Sequence, residues 1–328
     1  MKKLCTVMAL CLALCGTAQA AEKKVSVFAA ATSLNEIFGE FTKDTGIQVE
    51  YLEMSSGEVL TRTKAAKGKA QADVWFGGGL DSYIAAAQEG YLQAYLSPER
   101  KSIPERYLDK EGFWSGYSMC VVEITANKDI LAQKKLPMPT SWADLAKPEY
   151  KGEVLLSTPA VSGTFYFMVA EILQQFGPEK GWKLLEAIDA NVPYYAKRGS
   201  EPANKASAGE VAIAVAPFDS GMKLRAQGFP LEAVLPSDGT PWYFSPVAIF
   251  KNARNLPEAQ AFVDWILSEK GQSVISRCAP PAPVRTGVSL PETMKIIDGA
   301  NLINCDMVSV GEQRKEILAK WQEKFGNK

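Results

Sequence analysis

Val25-Ser26-Val27-Phe28-Ala29-Ala30-Ala31-Thr32-Ser33-Leu34 opens the stretch that decides the fold. Its first residues are β-prone, and its small, hydroxyl-bearing end leads into Leu34, Ile37, Phe38 and Phe41, which are spaced as one face of a helix. Gly46 closes that helix, and Ile47-Gln48-Val49-Glu50-Tyr51 alternates as a second strand. The unit then repeats. Ser55-Ser56-Gly57 precedes a helix to about Lys67, and Asp73-Val74-Trp75-Phe76 is a strand ending in Gly77-Gly78-Gly79. The next helix, through Tyr83 and Ala87, stops at Gly90. Strand-loop-helix units of this length predict an α/β fold with a parallel-rich sheet.

A second set follows Leu136-Pro137-Met138-Pro139. Glu153-Val154-Leu155-Leu156 is a strand, and Ser162-Gly163-Thr164 opens an apolar helix. Val211–Val215 and Val247–Phe250 are further strands, and the helix from about Pro257 to Ser268 carries Phe262, Trp265 and Ile266 on one face. A chain of 328 residues exceeds what one core usually holds. We therefore expect two α/β lobes facing each other across a cleft and joined by a crossover hinge. The expected division is residues 21–120 and 247–328 for the first lobe and 121–246 for the second.

The N-terminus reads as an address. Met1-Lys2-Lys3 is cationic, Leu4–Cys15 is apolar, and Ala18-Gln19-Ala20 has the small-x-small pattern of a cleavage site. Residues 1–20 are expected to be a cleaved signal peptide that directs export to the periplasm. Charge is nearly balanced, with 36 basic and 37 acidic residues, which does not suggest nucleic acid as a partner. The chain has no histidine, so Ser-His and Cys-His catalysis and the usual zinc sites are excluded. Beyond the signal segment, Cys278 and Cys305 are a candidate disulfide, with Cys120 left as a buried thiol.

Thr32, Ser33, Ser55, Ser56, Gly78, Ser162, Gly163 and Thr164 share one setting: each lies where a strand hands over to a helix. Ligands of open α/β sheets sit beyond the carboxyl ends of the strands. Helix N-termini there present free N–H groups and favour anions, to which Ser and Thr add hydroxyl donors. Any one of these residues also reads as an ordinary N-cap, and it is their recurrence that points to an anion site.

Several motifs extend the reading. Ala72-Asp73-Val74-Trp75-Phe76-Gly77-Gly78, Pro139-Thr140-Ser141-Trp142-Ala143-Asp144-Leu145 with Pro148-Glu149-Tyr150-Lys151-Gly152, Pro159–Thr164 and Phe262–Ser268 resemble a type 2 periplasmic binding protein of the ferric-binding subgroup. That subgroup also holds receptors for phosphonates and sugar phosphates. The resemblance implies an ABC-importer receptor, not an enzyme, that works as a monomer without a cofactor and delivers a small anionic solute to a membrane permease. Iron-binding members carry a tyrosine pair where this chain reads Ala216-Pro217-Phe218-Asp219, and Phe218 offers no phenolate. Ferric iron is therefore the alternative ligand and a phosphate ester or phosphonate the favoured one. Sugar-phosphate receptors are similar at Asp219, which is expected to read the ligand's tail together with Trp242 and Tyr243. Tyr194-Tyr195 lies upstream of the motif position, and Lys197 and Arg198 read as solvated surface charges. A thiaminase-like enzyme would need Cys120 as nucleophile, yet Tyr117-Ser118-Met119-Cys120-Val121-Val122 supplies no base.

Overall fold

The computed structural model describes residues 22–31, 33–67, 69–278, 282–290 and 292–328; the expected signal segment and Thr32 lie outside them. The first elements are β1 (Lys24–Ala30), α1 (Leu34–Thr45), β2 (Gln48–Glu53), α2 (Ser56–Ala65), β3 (Val74–Gly77), α3 (Leu80–Gln88) and β4 (Leu92–Gln93). A long strand, β5 (Ser115–Asn127), leads to α4 (Lys128–Lys134), α5 (Trp142–Leu145), β6 (Val154–Ser157), α6 (Gly163–Phe176), α7 (Pro178–Asp189) and β7 (Tyr195–Ala196). Then come α8 (Glu201–Ser207), β8 (Ile213–Pro217), α9 (Phe218–Ala226), β9 (Leu231–Val234) and β10 (Trp242–Phe250). The chain ends with α10 (Leu256–Leu267), α11 (Glu269–Cys278), β11 (Ala282–Pro283), α12 (Met307–Glu312) and α13 (Arg314–Phe325). Among the described residues no helix is long and apolar enough to cross a membrane.

The strands run in the order β2-β1-β3-β10-β5-β8-β6-β7. β1 is parallel to β2 and β3, and β6 is parallel to β7 and β8, so each lobe has the parallel-rich sheet that its strand-loop-helix units predict. The join between them is antiparallel. β5 pairs with β10 through Val121 and with β8 from Val122 onward, so one strand serves both lobes.

Aromatic rings fill the first lobe. Phe38 packs edge-on against Phe76 and Phe262, and Trp75 stacks on Tyr83 at 4.0 Å. Asp73, at the head of β3, is fixed by five donors: Ser26 N–H and Oγ, Arg254 N–H, and Asn255 N–H and Nδ2. Burial works to raise its carboxyl, but the hydrogen bonds from Asn255 and Ser26 outweigh burial and hold it below the usual range.

The C-terminus departs from expectation. α10 and α11 pack in the first lobe, but α13 does not: Trp321 and Phe325 sit against Tyr195 and Trp182 of the second. Lys324 pairs there with Glu186, and Lys328 with Asp189. Residues 301–303 exchange backbone hydrogen bonds with Thr240 on the way, so the chain crosses between lobes a third time. That crossing separates the two candidate disulfide cysteines. Cys278 lies near Glu36 and Glu40 of α1, Cys305 lies near Glu171 of α6, and both are free thiols.

Candidate ligand-binding cleft

A cavity of about 130 Å³ lies between the lobes. Ser55, Ser56 and Gly78 line it from the first lobe, and Ser162, Gly163, Thr164 and Asp219 from the second. Tyr243 lines it from β10, a strand shared through β5 by both sheets. Local sequence explains the aim of these loops. Ser55 caps α2 in a capping box with Glu58, Gly79 caps α3, Ser162 accepts the Phe165 N–H at the start of α6, and Pro217 starts α9. Four helix N-termini thus converge on one space and bias it toward negative charge.

The lobes meet backbone to backbone. Gly57 N–H donates to the Val161 carbonyl at 3.1 Å, and within the first lobe Gly79 N–H donates to Ser56 Oγ at 3.4 Å. A Cβ on Gly163 would fall 2.5 Å from Gly79 N and 2.8 Å from Ser56 Oγ, so only glycine permits this approach. Beside the seam, Arg314 Nε donates to the buried Asp81 at 2.6 Å, and its Nη2 donates to the Ala160 carbonyl at 3.2 Å. Burial raises the Asp81 carboxyl, and Arg314 draws it back.

Inside the cleft, Thr164 Oγ1 donates to Tyr243 OH at 3.0 Å, and Cys120 Sγ stands 3.8 Å from Asp219 Oδ1. Burial pushes the pKa values of Tyr117, Cys120 and Tyr243 well up, and the Asp219 carboxylate adds to the effect. All three therefore face a ligand as neutral groups, and Cys120 has the opposite of what a nucleophile requires. Below Asp219, Arg225 grips the fully buried Glu123 through two bonds of 2.7 and 3.0 Å. Burial pushes the Glu123 carboxyl up to about 7, against the pull of Arg225.

Two sequence expectations fail here. Ser33 precedes α1 with φ 54° and lies outside the cavity lining. Trp242 also lies outside it, because alternation along β10 turns Tyr243 and Ser245 to the cavity and Trp242 away. The Trp242 indole donates to the Ile303 carbonyl at 2.9 Å and packs with Val121 and Phe218. Tyr195 is engaged by Asp189 at 2.6 Å, away from the cleft. Conversely, Tyr117, Cys120, Ser245, Ser200, Glu53 and Arg198 line the cavity without having been singled out as its ligands.

Glu171 carries a pH prediction. It is fully buried on α6; one oxygen accepts the Trp242 N–H at 3.1 Å and the other has no hydrogen-bond partner. Burial raises its pKa well above the ordinary value. A raised acid stabilises the fold below its unfolded pKa, and that contribution is lost as pH climbs through the folded value. Glu171→Gln, which mimics the neutral acid, should melt higher than wild type at pH 8 and equally near pH 4. Parallel melting curves across that range would sink the assignment.

Known proteins share this architecture. An uncharacterised protein of Haemophilus influenzae is 32% identical over 324 residues, 94% of this chain and 92% of its own length. The phosphoglycerate transport regulatory protein PgtC of Salmonella typhimurium is 33% identical over 169 residues, which is 49% of this chain and 39% of PgtC. The periplasmic binding protein AfuA from Actinobacillus pleuropneumoniae, solved with exogenous fructose-6-phosphate bound, matches with a TM-score of 0.89 at 28% identity. That match covers 93% of this chain and 99% of AfuA. Residues 80–305 match the family described as bacterial extracellular solute-binding protein. With the family match over more than half the chain and a relative aligned along almost all of it, this protein belongs to the bacterial extracellular solute-binding proteins.

Proposed function

We propose that the protein is the periplasmic receptor of an ABC importer and captures a small organic phosphate in the interlobe cleft. The observation that carries this reading is the convergence of four helix N-termini and the hydroxyls of Ser55, Ser56, Ser162 and Thr164 on one cavity, with Asp219 beyond Tyr243 and Cys120. The N-termini and hydroxyls suit a phosphoryl head, and Asp219 suits the hydroxyls of a tail. The bound ligand of AfuA and the name of PgtC, both phosphate esters, support the same class. Export by residues 1–20 and delivery to a permease after lobe closure complete the proposed cycle.

Ferric iron fits less well. Phe218 is buried beneath the Arg225 guanidinium, 5.1 Å from it, and gives the cleft no oxygen. Native mass spectrometry of protein purified without unfolding should show a retained phosphate-bearing adduct of a few hundred daltons. A red preparation with a phenolate-to-iron absorption band would overturn the reading.

A further inference from the structure

We infer that Arg198 is the residue through which the cleft reads ligand charge, and that Glu53 is its built-in competitor; this rests on the phosphate reading above. Arg198 follows β7 in the second lobe, and Glu53 ends β2 in the first. Both line the cavity, and Arg198 Nη1 meets Glu53 Oε1 at 3.3 Å from the opposite lobe. Arg198 also adjoins the loop most suited to an anion. A Cβ on Gly199 would lie 2.9 Å from Ser162 Oγ and 3.3 Å from Thr164 Oγ1, so the turn at 198–200 is seated directly on those hydroxyls. The neighbouring acid, Glu201, is turned instead to the backbone amides of Lys197 and Arg198, at 3.1 and 3.5 Å.

Each side chain of the Arg198–Glu53 pair keeps about half of its surface in water, 51% and 57%. A pair so exposed is weakly held and is easily exchanged for another partner. A phosphate monoester offers the guanidinium a planar pair of acceptors with more charge than one carboxylate, and forked contacts of that kind are the strong ones. Arrival of the dianion therefore frees Arg198 from Glu53 and gives it to the ligand. An uncharged sugar cannot make the exchange and meets the pair intact. Glu53 thus sets a threshold that ligands lacking the second negative charge do not pass.

The alternative role for the pair is a tie that holds the lobes shut, and the two roles predict opposite signs. Calorimetric titration of the full chain would use fructose 6-phosphate, phosphoglycerate and inorganic phosphate, with fructose as the uncharged control. Arg198→Gln should weaken binding of the phosphate-bearing compounds by about tenfold or more. Glu53→Gln should tighten it by about two- to fivefold. In the Arg198→Gln background Glu53→Gln should change nothing. A Glu53→Gln variant that binds more weakly than wild type makes the pair a closing tie and overturns the inference. Unchanged affinity in Arg198→Gln overturns it as well, returning Arg198 to the surface charges. A wild type that binds none of the phosphate-bearing compounds overturns the phosphate reading itself, and this inference with it.

Discussion

Gly163→Val is expected to lower affinity for a cleft ligand by at least about a hundredfold, the equivalent of roughly 2.7 kcal/mol, while both lobes stay folded. The reason is spatial. The atoms a Cβ would strike are Gly79 N and Cα and Ser56 Oγ, all in the opposite lobe and mostly backbone. Close-packed backbone yields little, so the added carbons are relieved by separating the lobes. A ligand would then meet one lobe at a time. Gly57→Ala distinguishes blocked closure from lost ligand contact. Gly57 lies outside the cavity lining, yet its Cβ would meet the Val161 Cα and carbonyl oxygen at 2.9 Å. It should weaken binding in the same direction, whereas Gly39→Ala, with nothing within 4 Å, should not. Small-angle scattering at saturating ligand completes the test: wild type contracts and both seam variants stay extended. Contraction of Gly163→Val on ligand would show that the seam does not govern closure.

Arg225→Ala carries the largest expected loss of stability, about 3–5 kcal/mol, because it leaves Glu123 buried with its ionic partner gone. Glu123 has no exposed surface, and its remaining side-chain donor is Thr125, at 2.6 Å. The variant also strips the guanidinium from the Phe218 ring and loosens α9, which carries Asp219. Without Arg225 the Glu123 carboxyl rises further above its unfolded pKa, so the deficit should grow from pH 5 to pH 8. Urea denaturation at both values checks this. Adding Glu123→Gln should restore much of the loss at pH 8, and an equal deficit at both values would rule out an ionisation penalty.

The strand-loop-helix units, the parallel pairing within each lobe and most of the cleft-lining loops were legible because each depends on residues close in sequence. Leu34, Ile37, Phe38 and Phe41 mark the α1 face, and Ser162 marks the start of α6, with no knowledge of partners. What escaped depends on distant pairings. Tyr117, Cys120 and Ser245 reach the cavity only because β5 and β10 cross between the lobes side by side. Trp242 and Tyr243 looked equivalent until the pairing of β10 fixed which of them faces inward. Arg198 carried no local mark, because its role as a cavity wall exists only where the first lobe brings Glu53 within reach. The cysteine pairing failed for the same reason, since the 26 intervening residues hide a change of lobe.

That third crossing of the chain has a consequence for the order of synthesis. The first lobe waits for β10 to reach β3, and the second waits for Trp321 and Phe325 to reach Trp182 and Tyr195. The second lobe cannot finish folding until residues beyond 300 have left the ribosome. Contacts so far apart in sequence form slowly. A chain built in this way leaves its second lobe incomplete until translation is nearly over, and an incomplete lobe threads through a membrane pore more readily than a finished one.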